Sequence, residues 1–237
     1  SRSRPLGRCP SSSSAYAVSM TLLRAHNIAV SLDGFATGEG QSLEAPFGHA
    51  GMRLMEWYFP TNTFQSQTGH RERVAVDSAA APDDVFARRS WEGIGAEIMG
   101  AGKFGPPGWQ HDPEWQGWWG SNPPFHTPVF VLTHQPRPDI MLDGGTSFHF
   151  VSASPDEALK LATDAAGGLD VRLGGGPSSI RQFLAAGLVD YLHVAVVPII
   201  LGRGVNLWEG LEGLQDDYRT SSTTTPSGVT HVILDRT

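Results

Sequence analysis

Apolar positions along this chain follow two periods, and each predicts its own kind of element. Ile28-Ala29-Val30, the run VFVLT (129–133), Phe148 and Phe150 on one face of TSFHFVS (146–152), DVRL (170–173) and YLHVAVVPII (191–200) read as strands. AEIMG (96–100) reads as a short buried strand that ends at glycine. Helical spacing appears in PDDVFARRSWEGIG (82–95), which Pro82 opens, and in PSSIRQFLAAG (177–187), with Pro177 in its first turn. SPDEALKLATDAAGG (154–168) carries a capping box: Ser154 is the N-cap, Glu157 stands three residues on, and Gly167 stops the helix. The tail GVTHVILD (228–235) predicts a last strand, paired with YRTSSTT (218–224).

Strands and helices therefore alternate, and strands alone follow at the end. That order predicts an α/β fold with a mainly parallel central sheet flanked by helices and antiparallel C-terminal edge strands. Residues 35–70 read as loop. The segment 105–128 holds four of the seven Trp and six of the seventeen Pro. No helix or sheet interior tolerates that much proline, so it reads as one long ordered loop.

Composition narrows the picture only a little. The 237 residues, 40% hydrophobic and 17% charged, suit a globular fold with a real core. A formal net charge of −7 does not favour nucleic acid, whose binding needs clustered Lys and Arg. No apolar run approaches the ~20 residues that span a bilayer. Cys9 is the single cysteine, so no internal disulfide forms, no zinc spacing exists, and a reducing cytoplasm is the expected compartment. No metal site is expected. Residues 1–19, low in complexity, read as a disordered tag or N-terminal extension, with one domain over 20–237.

Strand, Gly174-Gly175-Gly176, helix is an arrangement that binds anions. The first amides of a helix lack partners and carry partial positive charge, and glycine lets a phosphate approach the backbone. Ser178 and Ser179 add hydroxyls. The stretch is neither a Walker A loop nor the G-x-G-x-x-G fingerprint. A tight βα turn with no ligand is the open alternative.

Four stretches, in order, resemble one family: IAVSLDGFAT, AEIMGAGKFG, VFVLTH, and LGGGPSSIRQFLAAGLVDYLHVAVVPIILGRGVNLW. Together they are similar to the dihydrofolate-reductase fold and, within it, to the riboflavin-biosynthesis reductase domain (the RibD C-terminal domain) and its stand-alone relatives, over roughly residues 22–236. The resemblance implies an NADPH-dependent reductase that transfers a hydride to a small, flat heterocyclic or conjugated carbonyl substrate, and a homodimer. A non-catalytic ligand-binding protein on the same fold is the alternative. By resemblance, Gly174, Gly175, Gly176, Ser178 and Ser179 line the pyrophosphate. Gly100, Ala101 and Lys103 meet the phosphates from the other side. Thr133 and His134 lie near the adenosine ribose, Ala29 and Val30 offer backbone to the nicotinamide, and Leu201 and Gly202 shape a bordering loop. Two positions depart from the pattern: the usual Arg is Ala101 and the usual Thr is Lys103. Lys103 then serves as a phosphate cation, with Arg137 or Arg172 as possible compensation.

Asp33, in the S-L-D-G turn, is the candidate for substrate contact or proton delivery; its alternative is an Asx-turn residue capping its own backbone. Glu56 and His49 read as solvated loop residues. Trp57 and Trp118 are candidate substrate contacts. The Trp-rich loop is either an aromatic wall for a flat substrate or a segment packing its own aromatics over the sheet. The deaminase zinc site that often accompanies the riboflavin reductase needs P-C-x-x-C, which one cysteine excludes.

Overall fold

The computed structural model describes residues 20–68 and 81–237. The N-terminal segment read as a tag or extension lies outside the described residues. In chain order the elements are β1 (Leu23–Ser31), β2 (Phe35–Thr37), α1 (Asn62–Gln67), α2 (Ala81–Arg89), β3 (Ile94–Gly100), α3 (Ala101–Phe104), β4 (Pro128–Leu132), β5 (Ile140–Met141) and β6 (Ser147–Val151). They continue with α4 (Pro155–Ala165), β7 (Asp170–Leu173), α5 (Pro177–Ala185), β8 (Tyr191–Val197), β9 (Val205–Asn206), β10 (Tyr218–Thr224) and β11 (Thr230–Arg236).

The main sheet runs β10-β11-β8-β1-β7-β3-β4-β6-β5. Strands β8 through β6 in that order are parallel. β11 and β10 add antiparallel strands at one edge, as the sequence predicts. The other edge also ends antiparallel, in the two-residue β5, which the sequence reading missed. β2 and β9 form a separate ribbon. The chain builds outward from β3 to β6, returns to insert β7 beside β1, and then crosses β1 to β8. All six parallel strands thus end on one side, and β7 marks the switch point where ligands bind in open α/β sheets.

Local chemistry explains most boundaries. α4 carries the predicted box: Ser154 Oγ accepts from the Glu157 amide at 3.3 Å and Glu157 reaches back to the Ser154 amide at 2.9 Å. α2 stops at Arg89, short of the predicted 95, because the chain turns through Gly93 at φ 72° straight into β3. β8 stops at Val197 because Pro198 cannot continue the ladder.

One sheet face is covered by α4 and α5 over a core that includes Leu23, Ile98, Leu173 and Phe183. The opposite face has two apolar halves. Trp57, Tyr58 and Leu54 cover the β1–β8 half. Phe104, Trp109 and Phe125 cover the β3–β4–β6 half. No described helix is long and apolar enough to cross a membrane.

Buried polar side chains cross the first of these halves. The Asn27 amide, on a bulge of β1 at φ 57°, donates to His193 Nδ1 at 3.1 Å. That backbone donor fixes the tautomers: His193 Nε2 donates to His231 Nδ1 at 2.9 Å, and His231 Nε2 donates to Asp83 at 2.8 Å. Phe86 stacks on His231 at 3.9 Å. His26 lies apart from this chain, buried against Tyr191 at 4.7 Å, with neither ring nitrogen partnered.

Burial holds His26 down to about 2 and, with the neighbouring His231, His193 down to about 3. The unfolded chain takes up these protons below about pH 6.5 and the folded chain does not, so stability falls as pH falls through that value. One histidine kept neutral costs about 2 kcal/mol at pH 5. Urea denaturation of wild type and His26→Phe at pH 7 and pH 5 checks this. The loss on acidification is expected to shrink by about 2 kcal/mol in the variant; an equal loss in both proteins counts against it.

Candidate functional site

β7 ends at Leu173, opposite Ala25 of β1. β1 runs on to Ser31, paired there only with β8. Beside Ala29 and Val30 the sheet therefore has a notch, bordered by the glycine loop after β7. These are the two residues expected to offer backbone to a ring.

The far side of the notch is pinned. The Gly100 amide donates to the Gly175 carbonyl and the Gly174 amide to the Ile98 carbonyl, both at 2.8 Å. The Gly175–Gly176 peptide is cis. A Cβ on Gly100 would lie 2.1 Å from Ser179 Oγ, and one on Gly174 would lie 2.1 Å from Glu97 Oε1. A side chain at either position requires Ser179, or Glu97 and Lys103, to move. Gly102 and Gly176 differ, because a Cβ on either meets open space. The crevice thus has a tight floor and open glycine faces at α3 and α5. Ser178 is exposed, and the first amides of α5 have no partner within the helix. A phosphate fits this cradle through backbone donors and the helix N-terminus.

Cations are the point of disagreement with the sequence reading. Lys103 does not face a phosphate: its Nζ donates to Glu97 Oε1 at 3.0 Å. Glu97 is 1% exposed in the middle of β3, so it demands counter-charge. Arg172 gives it more, with Nε at 2.7 Å and Nη2 also on Oε2. Arg172 donates besides to the Ser90 carbonyl at 3.2 Å and lies 3.7 Å over the Trp91 ring. Burial pushes the Lys103 ammonium down; Glu97 pulls it back, and Arg172 adds to the lowering. Arg137 is spent too, donating to the carbonyls of Asp112, Pro113 and Trp115. Neither arginine is free to replace the missing one at Ala101. Glu97 itself went unread; its signal was a carboxylate inside the apolar run AEIMG.

Asp33 takes an anchoring position. It accepts from Ser31 Oγ at 2.6 Å and from the amides of Leu201 at 3.1 Å and Gly202 at 2.7 Å. The Ser31 hydroxyl and then these two amides hold its carboxyl down to about 2, so it stays ionised at neutral pH and carries no proton to deliver. The amides of Leu201 and Gly202 are correspondingly occupied. Thr133 is buried, its hydroxyl accepting from the Gln135 amide at 3.1 Å, and His134 is exposed at the end of β4. Trp57 forms no open wall: it is 4% exposed, with its ring 5.2 Å from His231. Trp118 lies elsewhere, in a groove beside Ala101 and Gly102. Glu56 is exposed as expected, whereas His49 is fixed by the Glu39 amide at 2.9 Å.

The model of the RibD C-terminal domain matches residues 25–231. The chain belongs to the RibD C-terminal domain family. This is a reductase-type family, and the shared fold is the one the resemblance implied. A solved structure of a protein assigned to riboflavin biosynthesis, from Shewanella sp. PV-4, superposes with a TM-score of 0.52 at 18% identity, over 92% of this chain and 99% of that one. A pyrimidine reductase-like protein from Corynebacterium diphtheriae aligns at 18% identity and a TM-score of 0.47, over 93% of each chain. No curated protein matches.

Breaking the buried pair under this RibD-type crevice tests its weight. Glu97→Gln strands two cations and is expected to cost about 3 kcal/mol in urea denaturation. Lys103→Met leaves Arg172 on Glu97 and is expected to cost about 1 kcal/mol or less.

Proposed function

We propose that the protein is an NADPH-dependent reductase transferring a hydride to a small, flat heterocyclic or conjugated carbonyl substrate. The carrying observation is the notch beside Ala29 and Val30, continuous with a glycine cradle whose open faces lie at Gly102 and Gly176. When bound, a reduced nicotinamide supplies the hydride, and the chain has to place it and exclude water.

In this reading the amides at the start of α5, with Ser178 and Ser179, hold the pyrophosphate. Gly100 and Gly174 border it, with Ser179, Glu97 and Lys103 packed against them. His134, exposed at the end of β4, faces the adenosine end and its 2′-phosphate. Asp33 holds the 201–202 loop against the end of β1. Lys103 stays on Glu97 beside the cradle, where burial lowers its pKa from the usual lysine value and Glu97 opposes that shift.

Titrating NADPH and NADH by tryptophan fluorescence tests this, on wild type and Ser178→Glu. A carboxylate at that position favours the helix N-terminus yet repels a phosphate. The variant is expected to fold at least as stably and to bind NADPH about 10-fold more weakly, a change of about 1.4 kcal/mol. No binding of either cofactor to folded wild type sinks the reading.

A further inference from the structure

β6 turns Phe148 and Phe150 into the core and Ser147 and His149 to the opposite face, where both are partly exposed. Its antiparallel neighbour β5 pairs Ile140 with Phe148. One step further along that register, just before β5 begins, Asp139 comes opposite His149. Two residues of one strand and one from across it therefore converge on the rim of the sheet.

Their side chains form one line of hydrogen bonds. Ser147 Oγ lies 2.9 Å from His149 Nε2, and His149 Nδ1 lies 2.7 Å from Asp139 Oδ2. An ionised carboxylate only accepts, so Nδ1 carries the ring hydrogen and donates it. Nε2 of the neutral ring keeps its lone pair, and the Ser147 hydroxyl donates to it. Phe130, in register with His149 on β4, stacks on the imidazole at 5.2 Å and steadies its plane. Nucleophile, base and orienting carboxylate thus stand in the order and at the distances that activate a serine hydroxyl.

The other polar lines described above lack one of these parts. The His193–His231–Asp83 chain is buried and begins at a backbone amide. Ser31 donates directly to Asp33, with no imidazole between them. At the rim, by contrast, His149 is 25% and Asp139 49% exposed, so a solute reaches the group. Pro128 and Phe130 of β4 flank it with apolar surface, and the Asp139 carboxylate disfavours an anion.

We propose that Ser147 is a nucleophile for acyl transfer, with His149 as its general base and Asp139 as the positioning residue, acting on small, uncharged esters with a good leaving group. A bond forms from Ser147 Oγ to the acyl carbon as the hydroxyl proton passes to His149 Nε2. The bond from that carbon to the leaving oxygen breaks, and His149 returns the proton to this oxygen. Water, giving a proton to the same nitrogen, then releases the acid and restores the hydroxyl. No redox cofactor takes part, so the activity does not depend on the reductase reading.

The probes are p-nitrophenyl acetate and a fluorophosphonate, which bonds to an activated serine oxygen as fluoride leaves. Wild type is expected to give a burst of p-nitrophenolate, and peptide mapping to place the phosphonyl adduct on Ser147. Ser147→Ala is expected to lose both. His149→Ala is expected to slow labelling at least about 100-fold, the low end of what a general base contributes. Asp139→Asn offers its amide to Nδ1 and moves the ring hydrogen to Nε2. It is expected to slow labelling by a similar factor with an unchanged thermal melt, a split that a mere edge pin does not produce. No adduct on wild type, an adduct elsewhere than Ser147, or a burst retained in Ser147→Ala overturns the assignment. So does undiminished labelling of folded His149→Ala or Asp139→Asn. Should His149→Ala fail to fold, the exposed Asp139→Asn decides alone.

Discussion

The ends of β3 and β7 are tied together, and the two glycines there have side chains of their neighbours packed against them. Gly100 lies against Ser179, and Gly174 lies against Glu97 and Lys103. Two backbone bonds, Gly100 to Gly175 and Gly174 to Ile98, clamp the loops together. The rest of the functional end depends on this contact. It positions the first turn of α5, it starts α3 toward the Trp-rich wall, and it leaves β1 to run past β7 and open the notch.

Beneath the clamp is a charged core whose one local signal is the carboxylate inside the apolar run AEIMG. Glu97 in β3 meets Arg172 in β7 across 75 residues of chain. A buried carboxylate of this kind is retained only with counter-charge, so the pair couples the two strands whose ends carry the cradle. Lys103 adds a second cation from α3 to the same carboxylate. Burial of one carboxylate thus explains why Lys103 and Arg172 are not available to a phosphate.

What was legible in the sequence follows from range. The capping box at Ser154, the Pro177 start of α5 and the pairing of 218–224 with the last strand are decided within a few residues, and all were readable. The glycine run announced its loop for the same reason. The fates of Asp33, Trp57, Arg137 and Lys103 depend on partners far away or on tertiary burial: Asp33 on amides at 201 and 202, Trp57 on His231, Arg137 on the loop at 112–115, Lys103 on Glu97. The His193–His231–Asp83 chain joins β8, β11 and α2, and no spacing rule relates those three positions. The short β5 edge was missed because two residues carry no periodic signal. The Trp-rich segment was readable as an ordered loop, while its character as a fixed wall emerges only from the indole bonds to Ala101 and Phe104.

Amide hydrogen exchange with and without saturating NADPH tests the crevice most directly. In the proposed reading the free amides at the starts of α3 and α5 are the donors, so slowed exchange is expected at 101–103, 178 and 179, with the antiparallel edge at 218–236 unchanged. Protection confined to other segments, or none at all, would contradict a dinucleotide crevice at the ends of β3 and β7.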